Sequence, residues 1–96
     1  MARPSRLAEA DIQARLSSLT GWSINSGKLH REFSFPSFVE AFSFISGAAL
    51  IAESMNHHPE WSNVYSRVVV DLSTHDAGGL TELDFKFASR ISRLIP

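Results

Sequence analysis

Ninety-six residues with 44% hydrophobic and 20% charged side chains make one domain, 1–96, around a single modest core, too short for two. The formal charge is −1 and the nine Lys and Arg are scattered, so the basic stripe of a nucleic-acid binder is missing and no direct nucleic-acid ligand is expected. Zero cysteines exclude disulfides and thiolate metal sites, the polar first residues do not read as a signal peptide, and no apolar run approaches the roughly 20 residues of a membrane span; a cytoplasmic address away from any membrane is expected.

Leu7, Ile12, Leu16 and Leu19 recur at helical spacing between Glu9, Asp11 and Arg15, which predicts an amphipathic helix ending near Gly21. The turn "NSGK" separates "WSIN" from "KLHREFSF". That hairpin puts Leu29, Phe33 and Phe35 on one face of its second strand and His30, Glu32 and Ser34 on the other. His30 reads as a surface residue. Ser37 caps a long helix to about Asn56, with Phe38, Phe42, Ile45, Ala49 and Ala52 as its core stripe. Its other side carries Val39, Phe44, Leu50 and Ile51, apolar surface for packing within the monomer or against a second subunit. Gly47 inside this helix costs about 1 kcal/mol relative to alanine; it reads either as a close helix contact or as an ordinary core glycine.

"NVYSRVVVDLS" alternates strictly, with Val64, Ser66, Val68, Val70 and Leu72 on one side, and reads as one strand. After the loop "THDAGG", Thr81 and Asp84 make a capping-box pattern before a third helix with Leu83, Phe87, Ile91 and Leu94 as its buried stripe. Helix, strand, strand, helix, strand, helix predicts an α+β domain with helices on one face of a small antiparallel sheet.

The chemistry concentrates in "ESMNHHPEW". Pro59 disfavours helical geometry at His58, so the central helix should stop at or just before the histidine pair. Glu53 and His57 are four apart, so a last turn that stays helical would let the carboxylate hold that imidazole while His58 points elsewhere. His75, in "STHDAGGLT", follows the clearest strand. Imidazoles at element ends suit proton transfer near neutral pH. Plainer readings are histidines that only cap the last carbonyls, or a metal held by Glu53, His57 and a distant histidine, although neither His-x-x-x-His spacing nor any cysteine is present. Trp61 and Tyr65 fit core or edge positions, and also a planar heterocycle.

"AESMNHHPEW", "NVY" and "STHDAGGLTELD", in this order and spacing, resemble the pterin-4a-carbinolamine dehydratases, and the similarity extends from "LTGW" to "DFKFASRI". Thr20 stands where relatives often have proline. The resemblance implies three helices on one face of a four-stranded antiparallel sheet, in the order α-β-β-α-β-β-α, so that a short strand near Trp61 to Tyr65 is split from the longer one. It implies a homodimer, or a tetramer of two dimers, and no metal or organic cofactor. The implied reaction dehydrates 4a-hydroxytetrahydropterin to the quinonoid dihydropterin, recycling the cofactor of aromatic amino-acid hydroxylases. Catalytic roles carry over to His57, His58 and His75, and substrate-binding or supporting roles to Glu53, Pro59, Trp61 and Asp84. Two other uses go with the family: a protein-binding module, since a vertebrate member is a dimerisation cofactor for a homeodomain transcription factor, and a pterin enzyme serving molybdenum-cofactor metabolism.

Overall fold

A computed structural model describes residues 4–95. The chain runs α1 (Glu9–Leu16), β1 (Ser23–Asn25), β2 (Lys28–Ser34), α2 (Phe38–Met55), β3 (Glu60–Val64), β4 (Arg67–Leu72) and α3 (Glu82–Ser92), with one 3-10 turn at His75–Ala77. All four strands pair antiparallel in the order β1-β2-β4-β3. This is the α+β fold in the order α-β-β-α-β-β-α.

The hairpin between β1 and β2 closes tightly because Ser26 and Gly27 both take positive φ, 53° and 76°, which matches the right-handed twist of the strands. In the central pair, Leu29 lies opposite Leu72 and Phe33 opposite Val68. Side chains alternate along a strand, so these four and Val70 share the face beneath the helices and all are buried. Leu7, Ile12, Leu16 and Leu19 pack half-buried against this core. The helix they were expected to share ends at Leu16, and turns carry the chain on to Gly21.

Ser37 caps α2 as expected, its Oγ accepting the Glu40 N–H at 3.2 Å. The buried stripe differs from the expected one: it is Ala41, Phe44, Ala48 and Ala52, while Phe38 and Phe42 are 46% and 53% exposed. Both stripes have helical period, so periodicity alone cannot choose between them. The face with three alanines lets α2 lie close over the sheet, and the bulky Phe38 and Phe42 rings lie against each other outside, tilted by 45° with centroids 5.8 Å apart. Of the remaining expected positions, Ile45 is half-buried and Ala49 exposed. By length and composition α2 is apolar enough to cross a bilayer, but its small-residue stripe is committed to the sheet. A Cβ added at Gly47 would stand 3.1 Å from Leu94 Cδ1, so the glycine does mark a close approach of α2 to the end of α3.

The single strand read from "NVYSRVVVDLS" is two. Tyr65 takes φ 52° and turns the chain, and Asn63 Nδ2 donates to the Tyr65 and Arg67 carbonyls at 3.1 and 2.9 Å to hold the turn. Val64 is therefore exposed, whereas Val68, Val70 and Leu72 are buried as expected. In α3 the capping box forms with Asp84 at its third position. Phe87 and Ile91 are buried, Leu83 is only half-buried, and Leu94 lies past the helix end and is exposed.

Candidate active site

The last turn of α2 decides where the histidines go. Asn56 adopts the left-handed conformation, φ 49° and ψ 45°, a conformation asparagine tolerates better than most residues. Its N–H donates to the Glu53 carbonyl at 3.1 Å and the His57 N–H to the Ala52 carbonyl at 3.0 Å, the bonding pattern of a Schellman stop. The helix thus ends at Met55, and Asn56 separates it from His57. Glu53 and His57 are not neighbours on a helical face, and the expected pairing is replaced by two others.

His57 turns inward, 4% exposed, and its Nε2 meets Asp84 Oδ1 at 2.6 Å. A carboxylate only accepts, so Nε2 carries the proton and donates it. The other carboxylate oxygen of Asp84 accepts the Thr74 hydroxyl at 2.8 Å and the Thr81 N–H at 2.9 Å. Because Thr74 spends its hydrogen on Asp84, the 2.8 Å contact between the two threonine hydroxyls must be donated by Thr81, whose oxygen in turn accepts the Leu83 N–H. Every polar atom in this buried cluster is thereby satisfied. Asp84 is fully buried, so it touches His57 and the threonines and acts on a ligand only through them. The edge of Phe87 against the His57 ring, 6.4 Å between centroids, fixes the imidazole plane.

His58 takes the carboxylate that His57 was expected to hold: its Nε2 lies 2.9 Å from Glu53 Oε1. His75, on the 3-10 turn after β4, has Nε2 3.6 Å from Glu60 Oε1. His58 and His75 are 59% and 80% exposed at their side chains. All three imidazoles line one partly open cavity of about 180 Å³, together with Asn56, Ser73, Thr74 and Asp76. A larger concavity of about 450 Å³ between α1 and α3 carries Arg15, Glu82 and Lys86 but no histidine.

His57 and His58 therefore each have a carboxylate hydrogen-bonded at Nε2, and His75 has one 3.6 Å from the same nitrogen. A neutral ring so held presents a lone pair and is a base; a protonated one presents N–H and is an acid. Among the described residues, no three His, Asp or Glu side chains converge closely enough to hold a metal ion.

Trp61 and Pro59 stand differently from the histidines. Trp61, in β3, lies opposite Val70 of β4 and packs half-buried on the core, outside the residues that line the cavity. Pro59 joins His58 to β3 and is also outside that lining. Asn56, Ser73 and Thr74 were not singled out from sequence. Asn immediately before a histidine pair and a proline is a signal for a left-handed helix stop, but Ser73 and Thr74 gain their place only from strand register and the Thr74–Gly79 bridge.

A family model described as pterin 4 alpha carbinolamine dehydratase matches residues 5–94. The chain belongs to this family. Two relatives carrying the pterin-4-alpha-carbinolamine dehydratase name are similar over nearly their whole lengths. One, from Solibacter usitatus, is 51% identical over 94% of this chain and 95% of its own; another, from Rhizobium johnstonii, is 54% identical over 92% and 89%. A solved structure from Brucella melitensis, titled a transcriptional coactivator/pterin dehydratase, is 42% identical and overlays with a TM-score of 0.92, covering 96% of this chain and 100% of that one. A pterin dehydratase-like RuBisCO assembly factor of the alpha-carboxysome, 23% identical with a TM-score of 0.63 over 76% of this chain and 84% of its own, shares the dehydratase fold alone.

Proposed function

We propose that this chain removes water from pterin-4a-carbinolamine by acid/base catalysis at His57, His58 and His75. The activity, that of a hydro-lyase, rests on membership of the dehydratase family through relatives about half identical over nearly the whole chain. The observation that supports the histidine assignment is that His57, His58 and His75 line one cavity, the first two hydrogen-bonded to a carboxylate at Nε2 and the third 3.6 Å from one.

The reaction breaks the C4a–O bond and forms a C4a–N5 double bond. One group must protonate the departing hydroxyl and another must accept the proton leaving N5, so the substrate loses one water and the enzyme's net protonation is unchanged. The carbon that carries the departing hydroxyl and the nitrogen that loses its proton are adjacent ring atoms, and imidazoles from different elements around one small cavity can reach both positions. Each positioned acid or base typically contributes about 10²- to 10⁴-fold. Asn56, Ser73 and Thr74 complete the lining, and the buried Asp84 and exposed Glu53 orient their imidazoles. Recycling of the tetrahydropterin of aromatic amino-acid hydroxylases, in the cytoplasm, is the biological setting proposed for it. No metal is required in this scheme.

Formation of the quinonoid dihydropterin from 4a-hydroxytetrahydropterin, followed optically with and without chelator, tests the reading. Acceleration well above the spontaneous rate, unchanged by chelator, is expected. No acceleration overturns the reading, and loss of rate with chelator replaces it with metal chemistry.

The exposed side chains Phe38, Val39, Phe42 and Leu50 on α2 support self-association, a homodimer or a tetramer of two dimers. The same strip would serve a foreign partner in a protein-binding role, and light scattering on the purified chain separates the two: a stable homo-oligomer favours the first, a monomer the second.

A further inference from the structure

We propose that Glu60 and Lys28 form a positioning pair that holds His75 for its part in the dehydration. The inference rests on the histidine assignment above and extends it to two residues outside the cavity lining. The His57 and His58 rings are each tied to a carboxylate at hydrogen-bond distance, 2.6 and 2.9 Å. His75 is the most exposed of the three and sits on a single 3-10 turn, so its ring has the most freedom to lose before it can transfer a proton. Glu60 Oε1 stands 3.6 Å from its Nε2, too far for a hydrogen bond but near enough for the charge to draw the Nε2–H side toward it.

Glu60 is itself held. It is the first residue of β3, lies opposite Asp71 of β4, and its Oε2 bonds to Lys28 Nζ at 2.7 Å. Lys28 starts β2, two strands away, and reaches Glu60 across β4 on the face of the sheet that the helices leave open. The bond and charge of Lys28, with a smaller contribution from His75, hold the Glu60 carboxyl below its usual range, so it stays anionic at neutral pH. The other charged groups around this point are Asp71 on β4, which holds His30 of β2 at 2.8 Å, and Asp76 and His58 beside His75 and Glu60 in the chain. Glu60 and Lys28 reach substrate only through His75.

The test compares Glu60→Gln and Lys28→Met with wild type in the dehydration assay, with circular dichroism to verify the fold, and repeats both changes in a His75→Ala background. Each change loosens the hold on the His75 ring without touching substrate, so each should lower kcat about two- to fivefold, the size expected of an exposed charge pair, with KM unchanged. Neither change should matter once His75 is alanine. A kcat that stays at the wild-type value, a rise in KM without a fall in kcat, or effects that persist without His75, overturn the positioning role alone. Wild-type activity in His75→Ala itself overturns this role and the assignment of His75 together.

Discussion

His57 is the residue at which stability and chemistry are least separable. It is buried against Asp84, so His57→Ala leaves a carboxylate in the core with its partner gone, a loss on the order of 3–5 kcal/mol, measurable as a fall in the urea midpoint along with lost activity. His58→Ala and His75→Ala remove exposed rings and should leave the unfolding free energy within about 0.5 kcal/mol of wild type. An equal loss of stability in all three variants would contradict this division. Residue types and motif spacing made the three histidines legible in the sequence. Their partners were not, because one left-handed residue, Asn56, rotates everything after it: Glu53 passes from His57 to His58, and His57 turns to an aspartate 27 positions away. A dihedral angle at one residue is weakly coded, and its consequence is a change of contact over the whole site.

At the scale of elements, α2 shows what hydrophobic period can and cannot say. The helix, its Ser37 cap and its end were legible; its buried face was not, because apolar residues surround it and only closeness to the sheet selects the alanine stripe. The strand pattern erred similarly at Tyr65, since alternation continues in the letters through a turn that an aromatic residue at positive φ gives little reason to expect. Gly47 offers a direct check on how tightly α2 meets α3. Its neighbour is the flexible, exposed end of Leu94, which can move by the few tenths of an ångström a methyl group needs. Gly47→Ala should then realise most of the helix-propensity gain and stabilise the protein by about 0.5–1 kcal/mol in urea denaturation. Destabilisation by more than about 1 kcal/mol would show a rigid contact there.

For the whole molecule, element order and helix-on-sheet layering followed from the sequence, and the fourth strand from the family resemblance. The uncovered sheet face carries a charge ladder in which Glu32 is held by Arg67 and Glu60 by Lys28, each carboxyl lowered from an ordinary value of 4.5. A carboxyl lowered in the folded state stabilises it above the unfolded value, and that contribution disappears as pH falls through the folded value. The deficit in melting temperature of Glu32→Gln and Glu60→Gln relative to wild type should therefore be present at pH 7 and shrink below pH 4.5, and added salt should reduce it. A deficit that grows in acid would contradict it. If self-association buries the outer strip of α2, Phe42→Glu should shift light scattering toward the monomer while leaving helix content unchanged; an unchanged mass would remove α2 from the interface.

The most direct test of the account is the dehydration rate of His58→Ala, His75→Ala and the double variant on 4a-hydroxytetrahydropterin at neutral pH. Groups that work in one proton-transfer step predict a fall of about 10²- to 10⁴-fold for each single variant in a folded protein, with the double little worse than the poorer single. Folded single variants that dehydrate the carbinolamine at the wild-type rate would contradict it.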